Sequence, residues 1–136
     1  MIYLDSSALV KLVRREAGTA ELFDWLNVDD RVGVRRVSSA LAEVELSRAL
    51  RRSSPQALVH VPIVLSDLYL MDITRVVRQT AASYDDPLLR SLDAIHLATA
   101  QVLAGGLDAF VTYDKRLLEA AAGMGLPVAA PGSFDG

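Results

Sequence analysis

The sequence predicts an α/β protein of three layers, with helices on both faces of a central parallel sheet. Three observations carry that prediction. Short β-type runs alternate with helical patterns along the whole of the 136-residue chain, the arrangement of parallel sheets covered on both sides. Acidic residues follow two of the predicted strands closely, at the carboxyl edge where open sheets bind their ligands. The composition, 51% hydrophobic and 23% charged, is that of one ordinary globular domain spanning residues 1–136.

The elements follow in order. Ile2-Tyr3-Leu4 is a β-type run ended by Asp5-Ser6-Ser7, polar residues able to cap a helix from about Ala8. Leu9, Leu12 and Val13 give that helix its apolar spacing, and Gly18-Thr19 breaks it. Residues 20–27 read as a second helix with Leu22, Trp25 and Leu26 on one side, and residues 32–37 as an interrupted strand. Ser38-Ser39 is expected to cap a third helix that runs to about Arg52, before Ser53-Ser54-Pro55. Residues 56–68 lean helical, with Pro62 as a start or a break. A strand is expected over residues 70–73, a helix from Thr74 to about Tyr84, and a turn at Asp85-Asp86-Pro87. Near Ser91 begins an almost entirely apolar helix, predicted to be buried, that reaches Ala104 before Gly105-Gly106. Residues 109–112 form a strand, 114–122 a helix and 127–129 a last strand; the tail after Pro131 is expected to fray.

Several function classes are excluded or weakened. No apolar run approaches the roughly 20 residues of a membrane helix, and Met1 to Asp5 lacks the basic and apolar regions of a secretory signal. The absence of cysteine excludes disulfides and thiolate metal sites and fits a cytoplasmic location. The net charge of −3 counts against nucleic-acid binding, but Arg35-Arg36 and Arg48, Arg51 and Arg52 concentrate positive charge locally, with Lys11, Arg14 and Arg15 earlier.

The carboxylates carry the chemistry. Asp5 immediately follows the first strand, and Asp114 follows the strand over 109–112 after one residue. Asp93 lies in the first turn of the apolar helix, where the helix dipole favours an acid, and it sits inside an otherwise apolar run that calls for a partner or a metal. The third helix offers Glu43 and Glu45, which do not share a face, and the helical wheel favours Glu43, nearer the stripe of Ala42, Leu46, Ala49 and Leu50. Carboxylates brought together raise one another's pKa unless a cation joins them. An oxygen-only set suits magnesium or manganese, and such a site suits phosphodiester hydrolysis. His96, mid-helix on an apolar background, reads better as a hydrogen-bonded core histidine than as a catalyst. Core packing is also the better reading for Tyr3 and Trp25, while Tyr113 beside Asp114 stays open as a stacking residue.

The opening residues Ile2 to Lys11, IYLDSSALVK, resemble the start of PIN-domain nucleases, and more closely that of the VapC toxins of toxin–antitoxin pairs. Residues 39–50, SALAEVELSRAL, resemble the family's second motif, in which the acid falls six residues after the strand-end serine; that register selects Glu45. Residues 92–100, LDAIHLATA, are similar to the third motif and are the most specific match; residues 110–117, FVTYDKRL, are similar to the fourth. The resemblance implies a three-layer PIN fold and a magnesium- or manganese-dependent ribonuclease. It puts Asp5, Glu45, Asp93 and Asp114 at the metal and the reaction, with Ser6 and Thr112 orienting carboxylates. It also implies an RNA substrate, with the arginine groups available to hold the backbone, a cognate VapB-like antitoxin and a homodimer. The extra acid Glu43 is a departure that leaves the second position open. A receiver-type signalling module would need an acceptor Asp ending a middle strand, and none is found; a haloacid-dehalogenase-like phosphatase would need an Asp where Ser7 stands. A degenerate PIN domain that only binds partners would not be expected to keep all four acids.

Overall fold

A computed structural model describes residues 1–133, and among them five strands and seven α-helices alternate. The strands are β1 (Ile2–Leu4), β2 (Arg36–Ser39), β3 (Tyr69–Met71), β4 (Ala109–Val111) and β5 (Val128–Ala129). The helices are α1 (Ser6–Val13), α2 (Thr19–Leu26), α3 (Leu41–Ser53), α4 (Val61–Ser66), α5 (Arg75–Ala82), α6 (Ser91–Val102) and α7 (Lys115–Gly123). Tight 3-10 turns at Pro55–His60 and Ala104–Gly106 complete the order. All pairings are parallel and the sheet order is β3-β2-β1-β4-β5. The chain steps outward from β1 through β2 to β3, then returns to the other side of β1 as β4. The order therefore reverses between β1 and β4, and a crevice opens outside their carboxyl ends.

The pleat of β1 divides the interior into two cores. Ile2 and Leu4 point to one face, with Ala109 and Val111 of β4, and pack against Leu9, Leu22, Leu46 and Leu50 from α1, α2 and α3. Tyr3 and Phe110 point to the other face and pack against Leu97 of α6 and Leu117 and Ala121 of α7. This is the alternation that β-geometry imposes, and it explains why β1 and β4 are apolar at every position: both faces are covered. Each leucine so buried contributes roughly 1.5–3 kcal/mol.

The predicted and observed elements differ mainly at their ends. The interrupted strand expected over 32–37 is displaced: Val34 closes a turn onto Arg31, Val32 is 55% exposed, and β2 begins only at Arg36. Pairing decides this, because Arg36 and Val37 are drawn into register with Ile2 and Tyr3 while Val37 to Ser39 align with β3. Ser38 and Ser39, expected as helix caps, are therefore the end of a central strand. Ser38 spends its hydroxyl on the carbonyl of Leu4 at 2.6 Å. Ser39 Oγ still accepts from Leu41 N at 3.1 Å, so it serves the start of α3 from within β2. Ser91 is the first residue of α6 rather than its cap, which is Arg90. Gly18 begins α2 with φ of 90°, a left-handed conformation that glycine adopts without strain. The expected fraying beyond Pro131 falls partly on residues 134–136, outside the described residues.

Candidate active site

Asp5 leaves β1 and caps α1, its Oδ1 accepting from Ala8 N at 3.0 Å. The register that sets Leu4 opposite Val111 places the residue after each strand side by side. Thr112 thus reaches Asp5, donating to Oδ2 at 2.6 Å, and Ser7 donates to Oδ1 at 2.6 Å. Ser7 Oγ in turn accepts from Tyr113 N at 2.9 Å. Asp5 is 3% exposed. Burial pushes its carboxyl above the usual range, partly offset by the charge of His96 and the bonds from Ser7, Thr112 and Ala8.

Two residues beyond Thr112, Asp114 caps α7 through Leu117 N at 3.0 Å, and its own N–H donates to Thr112 Oγ1 at 3.1 Å. Asp93 enters from the first turn of α6. No described residue hydrogen-bonds its carboxylate; burial raises its pKa first, and the charges of Asp114 and Asp5 raise it further, against His96 and Arg90. Glu45 arrives from α3 on the opposite face of the sheet. It accepts from Ser6 Oγ at 2.5 Å and bonds His96 Nε2 at 2.6 Å. Burial raises the Glu45 carboxyl, but the hydrogen bond and charge of His96 and the bond from Ser6 outweigh it and hold the pKa below the ordinary value.

Glu45, Asp93 and Asp114 line one open cleft of about 310 Å³, with Arg90, Ser91 and Leu92 at its rim. Asp5 lies beneath, close enough to shift Asp93. Glu43, which the wheel favoured, is exposed on α3 and lines none of the described clefts. The wheel measures closeness to the apolar stripe, whereas Glu45 is drawn in by Ser6 and His96 from other elements. Ser6 serves Glu45, and Thr112 serves Asp5. Three contributors went unread in the sequence: Ser7 on Asp5, Arg90 at the rim, and the Glu45 contact of His96. The signal for Ser7 was its place two residues after a strand-end acid.

The basic residues divide. Arg35 and Arg36 stand at the amino end of β2, opposite Ile2, so they are at the far edge of the sheet from Asp5. There they line a larger cleft of about 500 Å³ in which Arg35 stacks over Tyr69 at 5.6 Å. Strand direction thus keeps Arg35 and Arg36 apart from the acids. Arg14, Lys11 and Arg52 instead line a groove of about 320 Å³ that includes Ser7 and Tyr113, beside the acids. Tyr113 is tied there by its hydroxyl to Pro131 O at 2.7 Å, under Lys11 at 4.4 Å. Trp25 packs against the first core, as expected.

Fold and cleft together define a parallel α/β domain with an oxygen-lined acidic site at its topological switch point. The comparisons narrow the class. The model of the PIN domain family matches residues 2–123. Ribonuclease VapC35 of Mycobacterium tuberculosis (strain ATCC 25618 / H37Rv) is 58% identical over 135 residues, covering 97% of this chain and 98% of that protein. Ribonuclease VapC47 of Mycobacterium tuberculosis (strain CDC 1551 / Oshkosh) is 40% identical over 134 residues, covering 98% of each. The crystal structure of Mycobacterium tuberculosis VapC20, described as a sarcin-ricin loop cleaving toxin, matches with a TM-score of 0.72 at 16% identity, over 96% of this chain and 100% of that one. At that identity the likeness is one of fold. The chain belongs to the PIN-domain family, among the VapC ribonucleases.

Proposed function

We propose that this chain is the endoribonuclease toxin of a VapBC-type pair, cutting RNA phosphodiester bonds with magnesium or manganese held by Asp5, Glu45, Asp93 and Asp114. The observation that carries the reading is Asp93: a half-buried carboxylate with no hydrogen-bond donor among the described residues, sharing one cleft with Glu45 and Asp114, and raised by burial first and then by the charges of Asp114 and Asp5. A divalent cation between these acids removes that repulsion.

The residues fit such an ion. Every donor is oxygen, which suits a hard cation better than zinc. Asp5 Oδ1 takes two donors and Oδ2 one, leaving Oδ2 capacity for a ligand bond. Among the described residues no three His, Asp or Glu groups already stand as a ready-made metal cluster. When bound, the ion supplies Lewis-acid activation of water and neutralises charge on the phosphate.

The chain itself positions and binds. Thr112 and Ser7 hold Asp5, and Ser6 holds Glu45. Arg90 lines the acidic cleft and is available to meet a phosphate, and Arg52 lines the neighbouring groove, where Lys11 and Arg14 are already paired with Glu16. The name of VapC35 supports RNA as substrate. The same reading makes residues 1–136 one domain, acting in the cytoplasm as a homodimer and silenced by a cognate VapB-like antitoxin. No described helix is long and apolar enough to cross a membrane.

The test is cleavage of structured RNA by the purified chain with Mg²⁺ or Mn²⁺ and then with excess chelator. Asp5→Asn, Asp93→Asn and Glu45→Gln are expected to lose activity by about 100-fold or more, beyond the range typical of outer-shell losses. Glu43→Gln is expected to cut like the parent. A chain that neither cuts RNA nor binds Mn²⁺ would overturn the reading.

A further inference from the structure

His96 is the most buried titratable group near the cleft whose role remains unassigned. It lies three residues after Asp93 in α6, with its side chain 1% exposed. Its ring bridges two groups from different elements. Nδ1 is 2.6 Å from the Tyr3 hydroxyl, and Nε2 is 2.6 Å from Glu45 Oε1. Ser6 Oγ donates to that same Oε1 at 2.5 Å. Glu45 Oε2 has no hydrogen-bond partner among the described residues. One oxygen of Glu45 is thus held twice by the protein, and the other is left to the cleft.

Tyr3 is in turn packed on every side. It is fully buried on β1, stacked on Phe110 with centroids 5.2 Å apart and edge-on to His96 at 5.8 Å. Its hydroxyl cannot leave Nδ1 without disturbing the second core. The protons follow from the donor inventory. An ionised Glu45 only accepts, so Nε2 carries a hydrogen. The other ring nitrogen, Nδ1, faces the Tyr3 hydroxyl, which can donate to it or accept from it. A change at either end removes a bond that orients the imidazole, in the way outer partners fix metal-site histidines and carboxylates.

We infer that His96 is a positioning residue: held by Tyr3 at Nδ1, it donates from Nε2 to one oxygen of Glu45 so that the other faces the cation and the RNA. This rests on the metal-site reading above, and the tests separate the two. The first uses metal-free protein. The chain has two histidines, so ¹⁵N NMR of His60→Gln isolates the ring of His96. The expected spectrum has a protonated Nε2, and in Tyr3→Phe the Nδ1 resonance moves as that nitrogen loses its hydroxyl partner. An unprotonated Nε2, or a Nδ1 signal unmoved by Tyr3→Phe, overturns the inference.

The second test is Mn²⁺ titration, with circular dichroism to show that each variant is folded. In His96→Gln the amide reaches the position of Nε2 and keeps the donor to Glu45, so affinity stays within about threefold. In His96→Asn the amide reaches only the position of Nδ1, and affinity falls about 10- to 100-fold, the usual effect of losing an outer-shell partner. Parent-like Mn²⁺ affinity in folded His96→Asn overturns the inference. If the parent chain itself bound no Mn²⁺ and cut no RNA, the nuclease reading would fail, while the NMR experiment would still decide whether Nε2 donates to Glu45.

Discussion

Thr112 joins two of the acids, and its replacement by valine isolates what that junction contributes. The side chain is fully buried just beyond β4. Its hydroxyl donates to Asp5 Oδ2 at 2.6 Å and accepts from Asp114 N at 3.1 Å. Valine keeps the shape and removes both bonds. A hydrogen bond to a buried carboxylate contributes about 1.5–3 kcal/mol. The stranded N–H of Asp114 adds about 1 kcal/mol, at the low end because the residue is only partly buried. The expected loss for Thr112→Val is therefore about 3 kcal/mol, or roughly 10 °C in Tm for a chain of this length. Thr112→Ser keeps the hydroxyl and loses one methyl, costing about 1 kcal/mol. Urea unfolding of the metal-free protein at neutral pH measures both. The gap between Thr112→Val and the parent narrows in acid, where protonated Asp5 makes only an ordinary neutral bond. A Thr112→Val protein within about 0.5 kcal/mol of the parent, or Thr112→Ser as damaged as Thr112→Val, would refute the reasoning.

Two further expectations concern the same acids. Burial and the charges of Asp114 and Asp5 raise Asp93 in the folded chain. The native state then holds this proton to higher pH than the unfolded chain does. That contribution to metal-free stability is full below the ordinary Asp value of 3.8 and declines as pH rises through the raised value. Asp93→Asn removes this share of the slope and leaves that of the raised Asp5, so the variant loses activity yet is at least as stable as the parent at neutral pH without metal. Its Tm does not rise with Mg²⁺ as the parent's does, and melts across the acid-to-neutral range with and without Mg²⁺ check both statements. Ser7→Ala deletes the donor to Asp5 Oδ1 and the acceptor for Tyr113 N. It is expected to cost about 2 kcal/mol and about tenfold in Mn²⁺ affinity, read by unfolding and by titration; a loss of neither would show that Thr112 and Ala8 N hold Asp5 unaided.

The site draws on both layers of helices. Glu45 comes from α3, which packs on the face of Ile2 and Leu4, and Asp93 from α6, which packs on the face of Tyr3. They meet only at the edge of the sheet. This explains why the most polar hydrogen-bonding in the interior, from Tyr3 through His96 to Glu45 and Ser6, runs across that edge. It also explains how His96 can be both a satisfied core residue and a neighbour of the acids.

Local chemistry was legible in the sequence wherever one element decided the outcome. Alternating strand and helix patterns foretold the parallel sheet, because side-chain periodicity is a property of each segment alone. The place of Asp5, Thr112 and Asp114 at the carboxyl edge also followed, since in a parallel sheet every strand ends on that side. Choices that depend on neighbours distant in the chain were not legible. The start of β2 was set by pairing with β1 and β3, not by the valines of 32–37. Glu45 lies with the acids and Glu43 does not because Ser6 and His96, 39 and 51 residues away, converge on it. Arg35 and Arg36 were carried to the opposite edge by strand direction. A sequence records what each residue prefers along its own element; which elements share an edge is decided by the packing of two cores on one sheet.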